Sequence, residues 1–179
     1  VRPVWQNVGM HLLFGILIGT LHEASTSSIY YYVLYRIGDF QWNEEYRAFA
    51  VNARGPMLLC KHVLPTMIAG GGGSIVHSAS GFGLLGEMTL TAYGASKAAL
   101  INLGRFIATQ YGKQGVRSNV IAIGFVLSEN AVESTPQAVK DVLLSHHLNP
   151  QLGTPRDIAN VVAFLASDES RFINGATVA

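Results

Sequence analysis

The sequence predicts an α/β fold built on a parallel sheet. Short apolar segments of the kind that suit strands buried on both faces alternate with longer segments of helical apolar spacing. No internal repeat or low-complexity linker interrupts that alternation. The length of 179 residues suits one domain, the usual size being roughly 100–200 residues.

Residues 1–40 come first and match no later pattern. Within them the apolar run 8–21, broken by His11, is shorter than the roughly 18–20 residues that span a bilayer. It reads as a buried strand or helix, with a signal-peptide core behind Arg2 as the competing reading. Residues 29–35 (IYYYVLY) are aromatic and β-branched, as a strand prefers. Residues 42–64 carry helical apolar spacing, with a kink expected at Gly55-Pro56 and an end or bend at Pro65. A glycine turn at 70–73 leads to a short buried strand, 74–77 (SIVH). A long helix is expected at 91–112, its first turns lined by Ala92, Gly94, Ala95, Ala98 and Ala99, which would let a neighbour approach closely. A second buried strand is expected at 117–123, closed by Gly124, then a looser stretch to Pro136 and a helix at 137–144. Thr154-Pro155-Arg156-Asp157 starts a helix that runs to Ala166: Thr154 caps, Pro155 suits the first position, and Asp157 meets the positive end of the dipole. Residues 174–179 begin a last strand.

Composition excludes several classes. Charged residues are 13%, against roughly 25% in an average soluble protein, while hydrophobic residues are 49% and mean hydropathy is +0.30. Disorder needs the opposite balance. A net charge of +1 leaves no basic footprint for nucleic acid. Cys60 stands alone, so neither an internal disulfide nor a cysteine zinc site can form, and a reducing, cytoplasmic setting is expected. No membrane span is expected.

Several motifs fail on inspection. Gly81-Phe82-Gly83-Leu84-Leu85-Gly86 spells G-x-G-x-x-G, but a dinucleotide fingerprint must open a helix and be followed about 20 residues on by an acid. Met88-Thr89-Leu90-Thr91 follows instead, and past Glu87 the next acid is Glu129. A loop beside an active site is the better reading. The glycines at 70–73 lack the Gly-Lys-Ser/Thr of a phosphate loop, and Ser96 lacks the second glycine of a hydrolase elbow. Adjacent His146 and His147 do not share a helical face, so no metal is expected.

Ser80, Tyr93 and Lys97 survive. Tyr93 and Lys97 are spaced i, i+4, so on a helix their side chains meet. A lysine ammonium beside a phenol favours the phenolate, which can take a proton from an alcohol or return one to a carbonyl. Ser80 ends a strand and can donate to the reacting oxygen. The pair alone is common on helix surfaces; its context makes it specific.

That context resembles the short-chain dehydrogenase/reductase family. GGGSIVHSAS, YGASK and QYGKQGVRSNVIAIG follow the family's order and spacing, VNARG (51–55) is similar to its asparagine motif, and GTPRDIANVVAFLASDESRFINGATVA to its closing helix and strand. The resemblance covers about residues 41–179. It implies a Rossmann-like doubly wound parallel sheet, N-terminally incomplete, with 41–179 as the catalytic part. It also implies roles: Tyr93 as general acid/base, Lys97 lowering the phenol's pKa and holding the nicotinamide ribose, Ser80 orienting the substrate oxygen, and Asn52 holding a water in the proton relay. Gly124, Val126 and Ser128 fall where relatives grip the nicotinamide end; with Asn52, Tyr93 and Lys97 they make up the expected cofactor contacts.

The departures are as informative. The family's T-G-x-x-x-G-x-G loop and N-N-A-G segment are missing, Ile123 replaces a proline, and the chain stops before the final V-D-G-G. The implied activity is NAD- or NADP-dependent interconversion of a secondary alcohol and a ketone, with the choice of cofactor unreadable because its discriminating region is missing. The alternative is a catalytically inactive fragment or interaction module unable to bind the dinucleotide. Phe82, Leu84, Leu85, Met88, Phe125 and Leu127 predict an apolar or cyclic substrate, and core packing accounts for them equally. The family implies a homo-oligomer, dimer or tetramer, pairing the helices at 42–64 and 91–112.

Overall fold

The structure is a computed structural model that describes residues 42–86 and 88–179. The apolar run 8–21 and the strand read at 29–35 lie outside the described residues. The chain divides into two units, Val1–Tyr46 and Arg47–Ala179. Of the first, only the opening of one helix is described; the second carries the sheet and every helix after it.

That opening helix, α1 (Trp42–Phe49), continues as a π-helical turn (Ala50–Arg54) into α2 (Gly55–Ala69). The Gly55 N–H reaches back to the Ala50 carbonyl, the i→i+5 bond of such a turn. The irregularity expected at Gly55-Pro56 thus falls just before it, in the turn whose carbonyls Pro56, having no N–H, cannot pair. Helix α2 carries Pro65 inside it and runs on to Ala69, past the end expected at Pro65. Pro65 and Lys61 are both exposed, on a side of α2 where water can meet a carbonyl that loses its partner.

Strand β1 (Gly73–Ser80) is longer than the four residues read from the sequence and leads through a 3₁₀ turn (Gly81–Gly83) towards α3 (Thr91–Tyr111). A second 3₁₀ turn (Gly112–Gln114) precedes β2 (Val116–Ile123). The stretch expected to be loose contains a helix, α4 (Glu129–Ser134), started by the Ser128 hydroxyl, which accepts from Ala131 N at 3.3 Å. Helices α5 (Gln137–Ser145) and α6 (Pro155–Ala166) follow, then a 3₁₀ turn (Asp168–Ser170) and the two-residue β3 (Thr177–Val178). Helix α6 starts at Pro155 as expected, and Asp157 accepts from Thr154 N at 2.8 Å and from the Thr154 hydroxyl at 2.6 Å, which holds its carboxyl below the usual range.

The described strands form one parallel sheet in the order β1-β2-β3, with Gly73 opposite Val116, Ser80 opposite Ile123, and Val120 opposite Thr177. Alternation sends successive side chains to opposite faces. On one face Val116 and Ile75 pack with Cys60 and Leu64 of α2 and Ile107 of α3, while Ala79 and Val120 pack with Leu100 and Ile101 of α3. Burying a leucine such as Leu100 contributes about 1.5–3 kcal/mol. A β-carbon on Gly104 would lie 2.6 Å from Val120 Cγ2, so glycine there lets α3 settle onto β2. On the other face Ser74 Oγ and Arg117 Nη1 both donate to the Leu165 carbonyl of α6, at 2.7 and 2.9 Å. Helices therefore cover both faces, the doubly wound arrangement. No described helix is long and apolar enough to cross a membrane.

Candidate active site

Lys97 and Tyr93 meet on the first turns of α3, with the Lys97 Nζ 5.5 Å from the centre of the Tyr93 ring. The same ammonium donates to the Ser78 carbonyl at 3.0 Å, which ties α3 to the carboxyl end of β1. One bond uses one of its three protons. Burial holds this ammonium below the usual lysine range.

Ser80 is the last residue of β1 and only 8% exposed. Its hydroxyl accepts from Phe82 N at 3.3 Å, so the 3₁₀ turn starts on it while its own proton stays available for another acceptor. Two glycines press this turn onto α3. A β-carbon on Gly83 would lie 2.9 Å from Ala98 N, and one on Gly94 would lie 2.9 Å from the Phe82 carbonyl oxygen. The middle glycine of the G-x-G-x-x-G run thus serves a close approach of turn to helix. It places Ser80 beside the helix of Tyr93 and Lys97, and it opens no phosphate-binding helix.

Asn52 lies in the π-helical turn, and its Nδ2 donates to Ser96 Oγ at 3.1 Å. The Ser96 hydroxyl donates in turn to the Tyr93 carbonyl at 2.7 Å. Ser96 is 0% exposed and was passed over in the sequence except as a failed nucleophile. The signal was present: a helical serine three residues after Tyr93 has the spacing for back-bonding to its carbonyl.

Gly124, Val126 and Ser128 follow β2 on a separate segment. Because Ser80 pairs with Ile123, Gly124 leaves the sheet next to Ser80, and a β-carbon there would meet nothing within 4 Å. Val126 bridges to Gly153, and Leu127 N donates to the Gly153 carbonyl at 2.8 Å. Ser128 caps α4 through its oxygen, which leaves its proton for another partner. Phe82, Leu84, Leu85 and Met88 are 41%, 46%, 72% and 96% exposed, so core packing does not account for them. Phe125 and Leu127 are half-buried. Among the described residues no three His, Cys, Asp or Glu side chains group as a metal site, and His146 Nδ1 lies 2.9 Å from the Val142 carbonyl.

Ligands of doubly wound sheets lie beyond the carboxyl ends of the strands. Here those ends bring together a hydroxyl with a proton to donate, a lysine beside a phenol, and an open glycine edge. That donor set fits the ribose-and-nicotinamide end of a dinucleotide.

Residues 17–179 match the family model described as enoyl-(acyl carrier protein) reductase; the match begins within the stretch 1–40 that the motifs left unmatched. The chain is 42% identical over 132 residues to a short-chain type dehydrogenase/reductase of Bradyrhizobium diazoefficiens, covering 74% of this chain and 47% of that protein. It is 42% identical over 131 residues to the 7alpha-hydroxysteroid dehydrogenase of Bacteroides fragilis, covering 73% of this chain and 51% of that one. It therefore spans about half the length of these relatives. Among solved structures, a 7 alpha-hydroxysteroid dehydrogenase complexed with NADH and 7-oxo glycochenodeoxycholic acid superposes with a TM-score of 0.74 at 30% identity, over 79% of this chain and 55% of that one.

Proposed function

The chain belongs to the short-chain dehydrogenase/reductase family, and we propose that it carries the acid–base site of an NAD(P)-dependent oxidoreductase interconverting a secondary alcohol and a ketone. The observation that carries this reading is the placement of Lys97 between the Tyr93 ring and the end of β1, with Ser80 on that same strand end. Tyr93 Oη takes the hydroxyl proton of the alcohol or returns it to the ketone oxygen. The Lys97 ammonium stabilises negative charge as it develops on the Tyr93 oxygen, and its remaining protons would hold the nicotinamide ribose. Ser80 donates its unspent proton to the substrate oxygen and so orients the reacting carbon. Asn52, its amide already committed to Ser96, has its backbone carbonyl to hold a water behind the phenol. Gly124, Val126 and Ser128 hold the nicotinamide end. When bound, the dinucleotide supplies or accepts the hydride.

The exposed Phe82, Leu84, Leu85 and Met88 suit an apolar or cyclic substrate such as the hydroxysteroid of the named relatives. Exposed Val51, Met57, Leu59 and Val63 of the π turn and α2, with Phe106 of α3, suit a homo-oligomer packed through those helices. One observation favours the second reading, a catalytically inactive fragment or interaction module: the G-x-G-x-x-G run enters a 3₁₀ turn, so no pyrophosphate cradle is built there.

Tyr93→Phe removes one hydroxyl. It is expected to lower turnover of a hydroxysteroid with NAD or NADP about 10²–10⁴-fold, the range for general acid–base catalysis. The thermal midpoint should stay in place. Wild-type turnover in that variant would remove Tyr93 from the mechanism.

A further inference from the structure

The geometry points to Ser96 as a positioning residue that couples Asn52 to Tyr93; this rests on reading Tyr93 as the acid/base. Three observations converge on it. Ser96 is 0% exposed, so its hydroxyl has no water to exchange with and must be satisfied by protein. Its oxygen receives Asn52 Nδ2 at 3.1 Å and its proton goes to the Tyr93 carbonyl at 2.7 Å. The first bond crosses from the π-helical turn to α3, and the second lies within the first turns of α3.

The direction of the chain is fixed by chemistry. A serine hydroxyl has one proton, and a carbonyl can only accept. With the proton spent on the Tyr93 carbonyl, Ser96 can meet the π turn only as an acceptor. The residue facing it there must then be a donor, which the Asn52 amide is. An alanine at 96 would break both bonds at once and leave the Asn52 amide and the Tyr93 carbonyl to find other partners. The backbone carbonyl of Tyr93 would then be held only by the helix, and Tyr93 would lose its hydrogen-bonded link to Asn52.

The test uses the full chain with ¹³Cζ-labelled tyrosine, the Tyr93 resonance being assigned by its loss in Tyr93→Phe. Ser96→Ala and Asn52→Ala should each shift that resonance in the same direction, and the double variant no further than the larger single one, since either change breaks the same link. Ser96→Thr, whose hydroxyl can make the same back-bond, should return the resonance to its wild-type position. An unmoved Tyr93 resonance in Ser96→Ala, with only a lowered thermal midpoint, would reduce Ser96 to a packing residue and overturn the assignment. So would independent, additive shifts in the double variant. Should Ser96→Ala not fold, Asn52→Ala at its half-buried site still decides: an unmoved resonance overturns the link. The signal is read without turnover, so a Tyr93→Phe variant that keeps its activity would fail the acid–base reading alone.

Discussion

The two faces of the sheet are held in different ways. On the α2–α3 face the contact is apolar: Cys60, Leu64, Leu100, Ile101 and Ile107 close over Ile75, Ala79, Val116 and Val120. On the α6 face it is a polar clasp. Arg117 Nη1 donates to Leu165 O and Ser170 Oγ, both at 2.9 Å, and Nη2 to Ser167 O at 3.0 Å. Asn119 holds the Ile173 carbonyl at 2.9 Å and Ala176 N at 3.0 Å, while Asn174 Oδ1 accepts from Ser118 N at 2.8 Å. A guanidinium at the end of α6 meets carbonyls that have no helical partner and the negative end of the dipole. The difference teaches where chemistry can be placed. An apolar contact tolerates the close sliding of turn against helix that Gly83 and Gly94 permit, and the candidate site grows at that edge. The clasp fixes the C-terminal segment by directed bonds and carries none of the candidate residues.

If that division is right, damage on the two faces should show in different measurements. The largest effect is expected from Gly83→Val, whose side chain would push the turn away from Ala98 and move Ser80 off the helix of Tyr93. Misplacement of about 1 Å costs on the order of 10²-fold in turnover. Hydrogen exchange in β3 and α6 should not change; a loosened clasp in this variant would break the comparison. Arg117→Met should do the reverse. Losing the guanidinium's three bonds to Leu165, Ser170 and Ser167 lowers stability by about 1–3 kcal/mol in chemical denaturation, while nicotinamide binding by the folded fraction stays at its wild-type strength.

The smallest effect is expected at His77, which with Ser118 forms a polar pair on the apolar face. It is 5% exposed, lies 3.1 Å through Nε2 from Ser118 Oγ, and has Gly104 of α3 against its ring. Burial holds its imidazole below the ordinary value of 6.5. A lowered folded-state value means the unfolded chain takes the proton first. The stabilisation is therefore complete above about 6.5 and is lost as the pH falls through the lowered value. Thermal midpoints should drop on acidification below pH 6.5, and His77→Gln, which keeps a polar partner for Ser118, should flatten that slope. An equal slope in the variant would assign the acid sensitivity elsewhere.

Much of this was legible because the signals are local. The i, i+4 pair Tyr93 and Lys97 needed only helical geometry, and Thr154-Pro155-Arg156-Asp157 starts α6 as its residue types require. Ser80 and Asn52 were legible through the family motifs, and α3 falls within one residue of its expected span. Other features depend on partners far away in sequence. The Asn52–Ser96 bond, the Lys97–Ser78 bond and the Arg117 clasp join elements whose approach no periodicity reveals. Helix α4 was missed although Ser128 caps it, because its six residues carry too little apolar pattern. Pro65 misled because its effect depends on whether the carbonyl it strands faces water or protein.

The most direct test of the central claim is titration of the purified chain with NADH and with NADPH, followed by nicotinamide fluorescence, alongside Lys97→Ala. The account predicts saturable binding of at least one of them by the folded chain, weakened about tenfold or more in the variant, since an ammonium hydrogen bond contributes about 1.5–3 kcal/mol. A folded chain that binds neither, or a Lys97→Ala variant that binds as well as wild type, would contradict it.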